Sequence, residues 1–167
     1  MSDKIKIRLE RLKTMRTTYF HALSNTPEED AWKKAEIWAN ERGLLEKDST
    51  IRIFGRNIYP TTNPEPHGYG FFIKITPDLK VENEISIRLI PGGFYAAARC
   101  EGLEQIGLVW SELWKWIANS KYQYIGMTKG EYGFELGFEE HINWYSVLIE
   151  KSEKKIIFDL MLQLWEE

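Results

Sequence analysis

The sequence predicts an α+β fold of two strand–helix–strand–strand repeats related by a pseudo-twofold axis. Their strands would form a curved antiparallel sheet, with both helices on one face and a ligand cleft on the other. Three observations predict it. Two segments with helical periodicity each have a strand-like run before them and two after them. The helices share a tryptophan spacing: Trp32 and Trp38 in the first, Trp110 and Trp116 in the second, with Ala-Asn following closely in both. The runs around them alternate apolar and polar residues, as half-buried strands do. The whole chain reads as one domain over 1–167, with repeat one at about 5–78 and repeat two at about 82–167.

The elements follow in order. Ile5 to Ala22 mixes charged residues with Thr17, Thr18, Tyr19 and Phe20 and reads as one strand. Thr26-Pro27-Glu28-Glu29 then predicts a helix start: Thr26 as cap, Pro27 in the first turn and Glu29 closing a capping box. The helix runs to about Arg42 and stops at Gly43. Ala31, Ala35, Trp38 and Ala39 fall on one face, and the small alanines let it sit close to a sheet. Strands follow at 51–58 and 69–75, joined by a loop with Pro60, Pro64 and Pro66. In the second half, 84–90 and 94–100 flank Pro91-Gly92-Gly93 and read as one strand broken by a bend. A helix at about 103–119 buries Ile106, Val109, Trp110, Leu113 and Ile117. Strands near 132–142 and 156–164 complete the repeat.

Composition bounds the function. The chain has 167 residues, 43% of them apolar, and a net charge of −3, which suits a globular core. Basic and acidic residues are interspersed, so nothing resembles a field for a phosphate backbone, and a nucleic-acid partner is not expected. One cysteine, Cys100, provides no disulfide framework and fits a reducing cytoplasm. The charged N-terminus is no signal peptide, and no apolar run is long enough to cross a membrane. Aromatic residues make up 14% of the chain, enough for a large core and for a pocket wall.

Strand parity then selects candidate site residues. In the 132–142 strand it places Phe134, Leu136 and Phe138 against the helices. Gly133, Glu135, Gly137 and Glu139 then face the cleft. Glu135, flanked by glycines, has open space on both sides, as a pocket floor would. The last strand turns Phe158, Leu160, Leu162 and Leu164 to the helices, and Ile157, Asp159, Met161 and Gln163 to the cleft. In the 69–75 strand, Gly70, Phe72 and Lys74 face the cleft. The plain alternative is a solvated outer sheet face. No metal or cofactor is expected, because His21, His67, His141 and Cys100 are scattered. Gly68-Tyr69-Gly70 lacks the third glycine and the helix of a nucleotide loop, and no nucleophile motif appears.

Several segments resemble the GyrI-like small-molecule-binding family, which includes the effector-binding domains of multidrug-sensing transcription regulators. They are Met15-Arg16-Thr17-Thr18-Tyr19, Pro27-Glu28-Glu29-Asp30-Ala31-Trp32 and Arg52-Ile53-Phe54-Gly55-Arg56-Asn57. Pro91-Gly92-Gly93-Phe94-Tyr95-Ala96 and Gly107-Leu108-Val109-Trp110-Ser111-Glu112-Leu113 continue the pattern. The resemblance implies an aromatic cleft around a buried acid, on the first strand after the second helix. Glu135 best matches that position, with Glu139 as the fallback. Many stand-alone relatives carry an acid and a tryptophan where this chain has Gly70 and Phe72. The first strand begins almost at Met1, so the chain reads as a domain without a DNA-binding segment of its own.

The expectation is a cytoplasmic protein that binds lipophilic small molecules, cationic ones among them. Glu135, Phe72, Met161, Trp110 and Glu139 form the site. If that pocket is apolar, desolvation raises the pKa of Glu135. The resemblance implies an alternative, hydrolysis of strained cyclopropane-bearing compounds in the same cleft with Glu135 as the catalytic carboxylate. A further alternative is a protein-interaction module, such as a topoisomerase inhibitor. Oligomeric state is left open.

Overall fold

The computed structural model describes residues 5–58, 67–125, 137–152 and 155–165. Its elements are β1 (Ile7–Leu12), β2 (Met15–Ser24), α1 (Pro27–Glu41), β3 (Ile53–Ile58), β4 (His67–Lys74), β5 (Ser86–Ile90), β6 (Gly93–Glu101), α2 (Ile106–Ala118), β7 (Phe138–His141) and β8 (Ile157–Leu164). A 3-10 turn over Leu103–Gln105 leads into α2, and a π turn over Tyr145–Ile149 follows β7. The fold class is α+β. The chain divides into two compact units: one of residues 15–89, the other of residues 1–14 and 90–167.

The unit of residues 15–89 has strand order β3-β4-β2-β5, with antiparallel pairing of β2 and β3 to β4. Helix α1 packs on it through the stripe the sequence shows. Ala31, Ala35 and Ala39 are fully buried and Trp38 nearly so. Trp38 meets Phe20, with ring centroids 5.7 Å apart, and Trp32 meets Phe71 at 5.3 Å. Three alanines let the backbone approach closely while two tryptophans fill the space beside them. At the helix start Thr26 makes no side-chain cap bond to the backbone. The capping box does not form, because the hydroxyls of Thr26 and Ser24 both donate to Asp30, at 3.3 and 2.6 Å. At the other end Gly43 has φ +65° and donates to Asn40 O at 3.0 Å, the left-handed stop that its missing side chain permits.

The other unit has strand order β1-β6-β8-β7, with all three neighbouring pairs antiparallel. Its core joins Val109, Leu113 and Ile117 of α2 to Ala96, Ala98 and Cys100 of β6 and Phe158, Leu160, Leu162 and Leu164 of β8. The parity assigned to the last strand therefore holds. The alanines of β6 leave room for the leucines of β8 and the helix side chains above them.

Two strand assignments change. Ile5 to Ala22 is not one strand: it breaks at Lys13-Thr14 into β1, which pairs with β6, and β2, which pairs with β4. Likewise 84–90 and 94–100 are not one bent strand, because β5 and β6 belong to different units. Gly92 marks this second break. Its N–H donates to Thr14 Oγ1 at 3.0 Å, and a Cβ there would lie 2.6 Å from Thr14 N. The two crossing points are thus tied to each other, and alternation within each strand gives no sign that the pairing partner changes.

Candidate functional site

Antiparallel register decides which side chains share a face, because directly opposed residues point the same way. In the unit of residues 15–89, Tyr19 opposes Phe72 and Phe72 opposes Phe54. One row on, His21 and Arg56 both oppose Gly70. These residues lie on the face away from α1. Tyr19 stacks on Phe72 at 4.7 Å and on His21 at 5.1 Å. Gly70 makes this possible: a Cβ there would lie 2.5 Å from Cε1 of Tyr19, so the tyrosine ring occupies the room a side chain would need. The guanidinium of Arg88 lies 4.8 Å from the centre of the same ring. Burial raises the Tyr19 pKa and outweighs the opposing pull of Arg56 and Arg88. Burial, with the charges of Lys34 and Arg88, lowers that of His21.

In the other unit the face away from α2 carries Tyr95 opposite Gln163, Met161 between Ala97 and Phe138, and Asp159 between Arg99 and Glu140. Tyr95 and Phe138 meet edge to face at 5.6 Å. Tyr95 donates its hydroxyl to Pro91 O at 2.6 Å, and burial raises its pKa. Asp159 is buried, and three charged bonds hold it: Arg99 Nε at 2.5 Å, Arg99 Nη2 at 3.3 Å and Arg8 Nη2 at 2.7 Å. Burial alone would raise its pKa, but the two guanidinium groups hold it below the ordinary carboxylate value. Asp159 is therefore ionised and already neutralised from within its unit.

The residues singled out from the sequence fall in different places. Glu135 lies outside the described residues. Phe72 and Met161 are both buried on the faces away from the helices, each in its own unit. Trp110 and Glu139 are on the α2 side instead. A Cβ on Gly137 would lie 3.1 Å from Trp110 Cη2 and 2.7 Å from Leu162 Cδ2, which places the indole over the core rather than beside Met161. Glu139 opposes Leu160, and Phe138 opposes Met161, so the two side chains are on the faces opposite to those expected. The physical reason is register: pairing with β8, which no local pattern shows, puts Phe138 on the face of Met161 and Glu139 on the face of Leu160.

Glu139 is buried on the α2 face, where burial and its charge push the Cys100 thiol up to about 11. His141 shares that face, edge-on to Phe158 at 5.0 Å, and burial lowers its pKa to about 3. Among the described residues no group of three His, Cys, Asp or Glu is placed to hold a metal ion. No described helix is long and apolar enough to cross a membrane. The sequence reading missed Tyr19, Phe54 and Tyr95 as face residues. Alternation in Thr17-Thr18-Tyr19-Phe20-His21 and in Tyr95-Ala96-Ala97-Ala98-Arg99 was the signal available for two of them.

Comparison with known proteins follows this geometry. The model of the GyrI-like small molecule binding domain matches residues 6–138. No curated protein matches the chain in sequence. Solved structures of similar fold include the EcmrR C-terminal domain, at 9% identity and TM-score 0.65, covering 98% of this chain and 99% of that one. EcmrR in its DNA complex matches at 10% identity and TM-score 0.68, over 98% of this chain, which spans 58% of that chain's length. SAV2435 bound to tetraphenylphosphonium matches at 10% identity and TM-score 0.50, covering 96% of this chain and 94% of that one. At such identities these likenesses establish the fold alone.

Proposed function

This chain belongs to the family of GyrI-like small molecule binding domains, and from that premise we propose that it binds flat, lipophilic molecules, organic cations among them. The Tyr19–Phe72 stack carries the reading. The half-buried Tyr19 ring lies 4.7 Å from the buried Phe72 ring beneath it, on a face their own unit's helix does not cover, and this backing preforms a flat partner for a planar apolar group.

Charge preference in this proposal rests on Glu135. Asp159, the other acid the sequence assigns to the ligand side, is held by Arg8 and Arg99 and has little left to offer a cation. One neighbour of similar fold holds tetraphenylphosphonium, a lipophilic cation, which makes that compound a suitable first probe.

The test is a fluorescence titration with tetraphenylphosphonium and with the tetraphenylborate anion of the same shape. Phe72→Ala, which removes the ring backing Tyr19, is expected to weaken binding of both about two- to tenfold, since an aromatic pair contributes about 0.5–1.5 kcal/mol beyond the area it buries. Glu135→Gln is expected to weaken only the cation. Mass spectrometry of the recovered ligand separates binding from turnover. Binding of neither probe, or binding indifferent to Phe72→Ala, would overturn the proposal.

A further inference from the structure

A groove of about 540 Å³ runs along α1 in the unit of residues 15–89, with Tyr19 and His21 of β2 in its wall. Its length follows from the helix. Lys34 and Glu41 are seven residues apart on α1, which at 1.5 Å per residue is about 10 Å. Ile37 and Trp38 lie between them, with Phe20 of β2 behind the indole. Ile37 is 63% exposed, a large apolar side chain presented to the groove with nothing packed over it.

The charges of the lining sort by position. At the far end Arg42 is fully engaged. It pairs with Glu82, lies over the Trp38 ring at 4.4 Å and donates to Trp38 O at 2.9 Å. Glu82 also accepts the indole N–H of Trp38 at 3.1 Å. These bonds tie the 82–86 segment to α1 and set the width of the groove. Arg42 also lies 3.6 Å from Glu41, so at that end one guanidinium answers two carboxylates, Glu82 and Glu41, and the balance is acidic. At the near end the spare charge is positive. Lys34 uses one of its three donors on His21 O at 2.8 Å and keeps the others. Burial first, and then the charges of Lys34 and Arg88, lowers the pKa of His21.

We propose that this groove binds an elongated zwitterion, its carboxylate at Lys34, its ammonium at Glu41, and an apolar or aromatic body over Ile37 and Trp38. The charge complementarity selects the occupant. A simple cation meets Lys34 at one end, a simple anion meets two carboxylates at the other, and only a molecule bearing both charges about 10 Å apart satisfies the two ends together. A tripeptide with free termini has that span, at about 3.3–3.6 Å per extended residue. The groove shares Tyr19 with the stack proposed above, while Lys34, Ile37 and Glu41 lie outside that stack.

The probe is the tripeptide Gly-Phe-Gly, titrated into the labelled protein while amide and indole N–H resonances are followed by NMR. Shifts are expected at Lys34, Ile37 and the Trp38 indole. The N-acetyl and C-amide forms are expected to bind about two- to fivefold more weakly, the range an exposed ion pair supports. In Lys34→Met, amidation should cost nothing further, and in Glu41→Gln acetylation should cost nothing further. Both residues are exposed, so the variants fold. Equal affinity of capped and free peptides, or no shifts at those positions, would overturn the proposal.

Discussion

Asp159→Asn tests the electrostatic account of the unit that contains α2. The substitution keeps the volume and removes the charge. The native carboxylate is 4% exposed, and the two arginine side chains are each 44% exposed. Hydrogen bonds to charged groups contribute about 1.5–3 kcal/mol each when well shielded. Here the donor side is half in water, so screening reduces that range. A net loss of about 2 kcal/mol is expected, with Arg8 and Arg99 left side by side without their counter-charge. For a chain of this size that corresponds to about 4–8 °C in Tm.

The same pair sets a pH window for this test. The folded pKa of Asp159 is depressed. Its stabilisation is therefore complete above the unfolded value of about 3.9 and disappears as pH falls through the lower folded value. Urea denaturation of wild type and variant at pH 7 and at pH 2.5 measures both. A loss under 0.5 kcal/mol at pH 7 would refute the caged carboxylate, as would a difference between the proteins that stays unchanged at pH 2.5.

His141 works in a different window. Its folded pKa of about 3 lies below the unfolded value of about 6.5, so between them the unfolded chain binds the extra proton. Stability should fall as pH drops through that interval, by up to about 1.4 kcal/mol per unit. His141→Leu should flatten the slope between pH 6 and pH 4 by about one proton, and identical slopes would count against a neutral buried imidazole. Gly137→Ala puts a side chain at φ +87°, with its Cβ 2.8 Å from the backbone oxygen of Met161. It should cost about 1–3 kcal/mol in backbone strain, with the clash adding to it, and a variant as stable as wild type in urea would count against the positive φ at this position.

The sequence by itself determined what depends on local pattern. Helix α1 was legible from Pro27 and its acidic first turn, its alanine stripe and Gly43. Helix α2 was legible from Val109, Leu113 and Ile117, and β8 from strict alternation of Phe158, Leu160, Leu162 and Leu164. These signals are short-range, because a helix or strand must bury one side and its period shows which. The family, too, could be read from short segments in order. Tertiary structure decided what depends on pairing. Nothing local says that β1 joins β6 while β2, two residues later, joins β4, since either partner satisfies the same alternation. The facing of β7 was likewise decided by pairing: its register with β8 puts Glu139 on the α2 face and Phe138 on the side of Met161. The fate of Asp159 was hidden for the same reason: its charge is answered by Arg8, 151 positions away in the chain, and by Arg99, 60 away. Distances like these carry no periodicity, so only the folded backbone can bring such charges together.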